Sequence, residues 1–281
     1  MPDVIMRPAT LDDVQGIHEI YRCDKDPSPW SRSDECIIMV NHRLLTGIVV
    51  LVAEHSGRIV GHADYVLSQE PEPFGKTIHL SVLQVHSDFR RRGIGRLLIE
   101  WGAKLGREKA CSMLTTQPAD EAKGFYKACG FQCILDQVEA LVRIDGIHWN
   151  GWHEVDRVPH EAVSRLPMRM GRVQSSEDMW HMCNFGVRIA GPMHPAARLA
   201  DGTTFVQLRY VNGNHDKPLV VSWADRHVAL EDLVSTAGTL AQRRGSTSLS
   251  CVIPACDSAL LVTAGFDMVE TGRVEFWALS L

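Results

Sequence analysis

Four arginines and two glycines stand together in the segment 82–98, VLQVHSDFRRRGIGRLL. An apolar alternating run precedes them, and apolar residues at helical spacing follow from Ile94 onward. This order of strand, loop and helix places the backbone N–H groups of residues 91–96 at a helix start, where they lack intrahelical partners and the helix dipole favours negative charge. Glycines at 93 and 95 let an anion approach the backbone. The segment therefore predicts a site for a diphosphate-sized anion; a solvated charge run followed by a plain glycine turn is the alternative.

The pattern Arg90-x-x-Gly93-x-Gly95, after a strand ending in Leu83-x-Val85, resembles the acetyl-CoA signature of the GNAT superfamily of N-acetyltransferases. Ser87 stands where the family usually has a proline. Further matches, which extend the resemblance over residues 3–145, are Arg7-Pro8-Ala9-Thr10 with Asp13, and Phe125-Tyr126 with Gly130-Phe131. The resemblance implies acetyl-CoA as cosubstrate. The residues that it assigns to this cosubstrate are Leu83, Gln84, Val85, Arg90, Arg91, Arg92, Gly93, Ile94, Gly95 and Arg96.

Acetyl transfer from a thioester to an amine requires a base for the amine, a stabilised oxyanion and an acid for the thiolate. In the family, a bulge holds the strand ending at Val85 apart from its neighbour, and the freed backbone polarises the thioester. Segment 76–85, KTIHLSVLQV, contains no carboxylate to act as base. His79 is the candidate, because imidazole titrates near neutral pH and strand alternation puts it on one face with Ser81, Leu83 and Val85. A structural histidine is the alternative reading.

The strand containing His79 also resembles that of the arylalkylamine N-acetyltransferases, which carry a second histidine where Ser81 stands here. A relay through two histidines is therefore not expected. Tyr126 is predicted to be the general acid, since it occupies the position of the catalytic tyrosine in the matching F-Y-x-x-x-G-F pattern. The alternative is an ordinary half-buried aromatic residue. Trp30 is a candidate lining residue for the acceptor, or a residue that packs a loop.

The chain of 281 residues is long for one compact domain, and its net charge of -5 gives no reason to expect nucleic acid or an anionic membrane as partner. Eight cysteines lack metal-ligand spacing and read as reduced thiols. With no signal or membrane segment in view, we expect a cytoplasmic protein without a metal ion. The expected partner is a small-molecule amine, with no membrane or nucleic acid, and a homodimer is left open.

The element pattern predicts an α/β fold, with a mixed sheet covered by helices on both faces, in a GNAT domain at residues 1–145. Two short strands at 131–135 and 138–144 are predicted to close it. Residues 146–281 are predicted to form a second, GNAT-like domain: the segment 125–131 aligns with 260–266, and the same offset places Val228 and Leu230 where Gly93 and Gly95 stand. This domain is therefore expected to have lost its cofactor cradle, unless the repeat reflects only generic βαβ construction.

The sequence thus predicts an acetyl-CoA-dependent N-acetyltransferase that transfers the acetyl group to a primary amine of a small molecule by direct attack on the thioester. Two alternatives stay open. One is a binding module that senses acyl-CoA without turnover, which the missing carboxylate base leaves open although Gly93, Gly95 and Tyr126 favour an enzyme. The other is an acetyltransferase for protein lysines or N-termini, which would need an open acceptor groove.

Overall fold

The computed structural model describes residues 4–23, 29–146, 151–184, 194–210 and 216–281. Contacts divide the chain into two compact units. The first unit consists of Met1–Leu67, Lys76–Phe131 and Ala278–Leu281, and the second of Ser68–Gly75 and Gln132–Trp277. This division differs from a single cut at residue 145, because the strand after Phe131 pairs over residues 137–143 within the second unit and residues 278–281 belong to the first.

The first unit follows the predicted order of elements. Its sheet runs in the order β1-β2-β3-β4-β5, with antiparallel pairing of β1 with β2 and of β2 with β3, and parallel pairing of β4 with β5. The elements are β1 (Val4–Pro8), α1 (Val14–Arg22), α2 (Ser33–Leu45), β2 (Val49–His55), β3 (Arg58–Gln69), β4 (Lys76–Val85), α3 (Ile94–Glu108), β5 (Met113–Thr116) and α4 (Lys123–Ala128). The mixed α/β class is confirmed.

Helices cover both faces of this sheet. Val52 of β2 belongs to the core formed with α1 and α2, whereas its neighbour Ala53 faces the other way, toward Gly61 and α3. Helix α3 packs closely there: a Cβ added at Gly102 would lie 2.2 Å from the Tyr65 ring, and the Tyr65 hydroxyl donates to the Leu98 carbonyl at 2.6 Å. Glycine in α3 thus lets the helix lie directly on the aromatic ring.

Strand β4 contains an irregularity in the middle of its length. A Cβ added at Gly106 of α3 would lie 2.7 Å from Ile78, and one added at Gly95 of α3 would lie 3.8 Å from Leu83. Ile78 and Leu83 therefore both face α3. Because they are five residues apart, a regular strand would direct them to opposite faces. The alternation must shift once between residues 78 and 83.

This irregularity corrects one expectation about the strand faces. Regular alternation predicts that His79, Ser81 and Leu83 share a face. Ser81 instead accepts a hydrogen bond from Arg43 of α2 at 3.3 Å, on the side opposite to Leu83. The sequence pattern carries no mark of the shift, because apolar residues occupy both parities of the segment.

The second unit has a sheet in the order β13-β6-β12-β11-β10-β9-β7, with β8 paired to β11. Its elements are β6 (Gln132–Arg143), β7 (Trp152–Val155), α5 (Glu161–Arg165), β8 (Met168–Met170), α6 (Ser176–Asn184), β9 (Ala196–Leu199), β10 (Phe205–Arg209), β11 (Leu219–Trp223), α7 (Leu230–Gln242), β12 (Ser248–Pro254), α8 (Ser258–Thr263) and β13 (Met268–Ser280). Among the helices of the described residues, none combines the length and the apolar character of a membrane-spanning segment.

One prediction about strands in this region is wrong. The segment predicted to hold two short strands forms one continuous strand, β6 (Gln132–Arg143), in which the seven residues 137–143 pair with β12. Residues 268–280 likewise form one long strand, β13. Between β6 and β10 the chain forms the helices α5 and α6 and the short strands β7, β8 and β9.

The internal repeat predicted from the sequence is visible in the elements. Adding 135 to the residue numbers of α4 gives those of α8. Each helix ends before a glycine in the left-handed region, Gly130 at φ 92° and Gly265 at φ 86°. The two units therefore share the strand, helix and turn that follow the predicted cofactor region.

Candidate functional site

A separation between β4 and β5 forms the first part of the site. The two strands pair in parallel from Thr77 with Met113 to Leu80 with Thr116. Strand β5 ends at Thr116, while β4 continues to Val85. Residues 81–85 are half-buried, in contrast to the buried residues 77–80. The predicted cosubstrate residues Leu83, Gln84 and Val85 thus lie where β4 has left its neighbour, as a slot for an extended molecule requires.

The loop from β4 into α3 forms the second part. Its backbone is left-handed at Arg91, with φ 60°, and at Gly93, with φ 86°. The N–H groups of Ile94, Gly95 and Arg96 begin α3 and have no intrahelical acceptor. A Cβ added at Gly93 would meet no protein atom within 4 Å. The loop therefore leaves open space beside Gly93 at a helix N-terminus, which suits the diphosphate of the expected cosubstrate.

The four arginines of the loop have different environments. Arg90 donates from Nε to the Val85 carbonyl at 2.9 Å, and Arg96 donates to the Ala128 carbonyl at 3.1 Å. The guanidinium of Arg92 lies 5.1 Å from the centre of the Phe89 ring. Arg90 and Arg96 thus fix the ends of the loop, and all four side chains keep exposed surface from which their charge acts on an anion.

The two glycines of the signature serve different purposes. Gly93 has a positive φ that other residues adopt only with strain. A Cβ at Gly95 would lie 3.1 Å from Cζ of Phe125 in α4, so this glycine accommodates an aromatic ring. Ile94 between them is buried and faces Gly61 of β3. Close approach of an anion therefore rests on Gly93 and the backbone rather than on Gly95.

Tyr126 lies at the point where the strands separate. Its phenol hydrogen-bonds with the hydroxyl of Thr116, the last residue of β5. The ring makes edge contacts with Phe125 and Phe131 at centroid distances of 5.2 and 5.3 Å. Burial raises the pKa of Tyr126 to about 12, against an opposing effect of the Thr116 hydrogen bond. The side chain is therefore a protonated phenol at neutral pH, at the inner end of the slot.

His79 lies deeper in the sheet than the slot. Its side chain has no exposed surface, and Nδ1 is 2.9 Å from Oγ1 of Thr115, its partner in β5. The imidazole is therefore one residue pair before the end of the paired region. Because the imidazole is buried there, any role as base requires a relay.

A buried polar network on the α1 and α2 side escaped the sequence reasoning. The Tyr21 hydroxyl is 2.9 Å from Nδ1 of His62, whose Nε2 is 2.9 Å from Oδ1 of Asp64. Nε of Arg43 lies 3.3 Å from Oδ2 of Asp64, and Nη2 donates to the Ser81 hydroxyl at 3.3 Å. The carboxylate and guanidinium offset each other in charge and hold Ser81 beside the slot. The signal was present in β3, where two polar residues alternate within an apolar strand.

Trp30 packs against this network. Its ring stacks on Tyr21 at 5.5 Å and lies 4.9 Å from His62, and the side chain is 5% exposed. These contacts show that Trp30 packs against neighbouring side chains. A role of Trp30 in lining the acceptor site stays a prediction. The neighbouring residues 24–28 lie outside the described chain.

Within the described residues, no group of three or more histidine, cysteine, aspartate or glutamate side chains could hold a metal ion. All eight cysteines are free thiols.

Comparison with known proteins agrees with this arrangement. Residues 15–131 match the family model described as "Acetyltransferase (GNAT) family". This part of the chain is therefore a GNAT acetyltransferase domain. Among proteins of curated function, none matches the sequence.

Solved structures extend the likeness over the whole chain. A tandem GNAT protein from the clavulanic acid biosynthesis pathway is 18% identical, covers 99% of this chain and 98% of its own, and has a TM-score of 0.59. A GCN5-related N-acetyltransferase from Anabaena variabilis is 11% identical, covers 98% of this chain and 72% of its own, and scores 0.69. One from Sphaerobacter thermophilus is 18% identical, covers 99% and 95%, and scores 0.52. At these identities the likeness shows the fold, which is that of GNAT acetyltransferases, tandem ones included.

Proposed function

We propose that the protein is an acetyl-CoA-dependent N-acetyltransferase, in which the first unit transfers the acetyl group to a primary amine of a small molecule. The observation that carries this proposal is the combination of three features in one unit: the separated strands β4 and β5, the open loop at Gly93, and Tyr126 at the inner end of the slot. A module that only senses acyl-CoA needs the slot and the loop. It has no need of a buried phenol at the position where the thiolate leaves.

The slot and the loop suit the two parts of the cosubstrate. The backbone of residues 81–85, left by β5, pairs with the extended pantetheine chain, and the N–H groups at the start of α3 donate hydrogen bonds to the diphosphate. Arg91 and Arg92 add positive charge at the exposed side of the loop. Binding in this way leaves the thioester near Thr116, where β4 and β5 separate.

The chemistry then requires two proton movements. The neutral amine attacks the thioester carbonyl carbon, a C–N bond forms and the C–S bond breaks. Tyr126 donates its proton to the leaving thiolate and is reprotonated from solvent after release of CoA, while the proton lost by the amine passes to a base. Burial keeps the phenol protonated, and the same desolvation makes the thiolate more basic. Because a raised pKa makes the phenol a weaker acid, its proton transfer requires a thiolate that is desolvated at least as much.

For the base, we keep His79 as the proposed final proton acceptor. Since the imidazole is closed to solvent and hydrogen-bonded to Thr115, the proton must reach it through an intermediate group. Hydroxyl groups flank that route on two strands, with Thr116 beside Tyr126 and Ser81 beside the slot. We further propose a reducing, cytoplasmic setting, which the eight free thiols favour.

The proposal is tested by release of free CoA thiol from acetyl-CoA in the presence of a panel of primary amines, including amino acids, polyamines, arylalkylamines and a lysine-containing peptide. We expect release with at least one small amine and a loss of release in Tyr126→Phe. Release with the peptide alone would support a protein acetyltransferase. Binding of acetyl-CoA without release by any member would support a sensing module.

A further inference from the structure

The second unit repeats the arrangement of strands that forms the slot in the first. Strands β11 and β12 run parallel and pair at Leu219 with Ser250, as β4 and β5 pair in the first unit. Helix α7 follows β11, and α8 follows β12, in the same order as α3 and α4. Beyond the Leu219 pair, β11 continues to Trp223 and acquires a different neighbour.

That neighbour is a segment of the chain itself, residues 167–171, which includes β8. Met170 and Met168 pair with Ser222 and Trp223 of β11. The hydrogen bonds continue on both sides: the Ala224 N–H donates to the Pro167 carbonyl at 3.1 Å, and the Gly171 N–H donates to the Val252 carbonyl of β12 at 2.8 Å. The segment therefore bonds to both strands, between which it lies.

Gly171 fits the narrow end of this space. Its φ is +80°, and an added Cβ would lie 2.3 Å from the Val220 carbonyl oxygen and 3.0 Å from Cα of Val221. Both contacts are with backbone atoms, which cannot move aside cheaply. Met170 and Met168 are both buried, each in a hydrophobic core of the unit. The segment is thus an integral, tightly fitted part of the sheet.

The side chain between the two methionines reaches the loop before α7. Nη1 of Arg169 donates to the carbonyl oxygens of Asp225, Arg226 and Val228, at 3.0, 3.1 and 3.3 Å. The corresponding loop of the first unit offers N–H groups at the start of α3. In the second unit, by contrast, carbonyl oxygens of the loop before α7 accept hydrogen bonds from a side chain of the same chain, so this loop already holds an internal cation.

We propose that residues 167–171 are a built-in substitute for CoA in the second unit, with the backbone in the position of the pantetheine chain and Arg169 at the loop that would hold the diphosphate. The second unit is therefore closed to CoA, and the chain binds one acetyl-CoA. This inference rests on the proposed function for the identity of the ligand in the first unit. The closure of the second unit is inferred from the geometry of that unit alone.

Hydrogen exchange of the full chain, followed by mass spectrometry with and without saturating acetyl-CoA, separates the two claims. Fragments covering residues 167–171 and 219–228 should exchange slowly without acetyl-CoA and should not change when it is added. Fragments covering 81–96 should slow by about tenfold or more on its addition. Calorimetry on the same samples should give one acetyl-CoA per chain.

Slower exchange in the second-unit fragments on addition of acetyl-CoA, or two molecules bound per chain, would overturn the closure. Fast exchange at 167–171 without acetyl-CoA would overturn it as well. If no acetyl-CoA binds, the cosubstrate site of the first unit is refuted, while slow exchange at 167–171 still supports the closure.

Arg169→Ala tests the role of the guanidinium. It should speed exchange of residues 224–228 by about tenfold, because three carbonyl groups lose their donor. Arg165→Ala is the matched control, since Arg165 is exposed at the end of α5. Equal exchange in the two variants would show that Arg169 does not order this loop.

Discussion

Replacing Gly93 by alanine tests the anion loop, and the structure separates its effect on folding from its effect on binding. Gly93 has φ +86° and Gly57, in the turn between β2 and β3, has φ +77°. At neither position would a Cβ meet a protein atom within 4 Å. Alanine in a left-handed conformation costs about 1–2 kcal/mol, so both variants should lose roughly this amount of unfolding free energy. The Cβ at 93 additionally occupies space that the diphosphate needs.

We therefore expect Gly93→Ala to weaken acetyl-CoA binding by about tenfold or more, equivalent to about 1.4 kcal/mol, and Gly57→Ala to leave it unchanged. Calorimetric titration at one fixed ionic strength measures the affinities, because salt screens the contribution of the arginines. Thermal unfolding of both variants checks the common folding penalty. Equal affinity of wild type and a folded Gly93→Ala protein would refute the assignment of the loop, and a similar loss in Gly57→Ala would trace the effect to folding.

Three further predictions concern protons. Tyr126→Phe should keep acetyl-CoA affinity and lower turnover by about two to four orders of magnitude; because burial raises the pKa of Tyr126 to about 12, wild-type kcat should show no fall from phenol ionisation below about pH 10. If His79 is the base, kcat/KM should rise over about pH 6–8, and His79→Gln should remove that rise and lower kcat/KM by about a hundredfold. An unchanged pH profile in this variant would show that His79 is structural. Burial would raise the pKa of Glu70, but the charge and hydrogen bonds of Arg172 hold this pKa below its ordinary value. Hydrogen bonds from Ser176 and Ser68 act in the same direction. The pair therefore stabilises the fold above about pH 4.5 and loses this effect in acid; Glu70→Gln should flatten the acid dependence of the thermal midpoint, and an equally steep dependence would contradict the sign.

Sequence patterns predicted the parts of the fold that are local. The strand before residue 86, the helix after Gly93 and the repeat that relates α4 to α8 all follow from apolar periodicity and glycine positions. The continuous strand β6 was missed because Asp136 and Gln137 resemble a turn, while pairing with β12 keeps the backbone extended. Whether such a segment forms a turn or a continuous strand depends on a partner strand from a distant part of the chain.

Only the local parts of the site were predicted, because the other parts depend on contacts between distant segments of the chain. The loop and Tyr126 belong to contiguous motifs, so their placement beside each other follows once β4 and β5 are parallel neighbours. The face occupied by Leu83 depends on a shift of alternation that the apolar pattern of β4 conceals. The network of His62, Asp64 and Arg43 joins β3 to α2 across the sheet face, a contact that one sequence without known neighbours does not reveal.

Direct transfer to nitrogen is the central claim, and a single-turnover reaction with acetyl-CoA labelled in the acetyl group tests it most directly. Wild-type protein is mixed with an amine that supports thiol release, and the label is followed by mass spectrometry of the amine and of the intact protein. We predict one labelled N-acetyl product per free CoA thiol, with no labelled protein at any time. Label that appears first on the protein, or that is released as acetate while the amine is unchanged, would contradict the account.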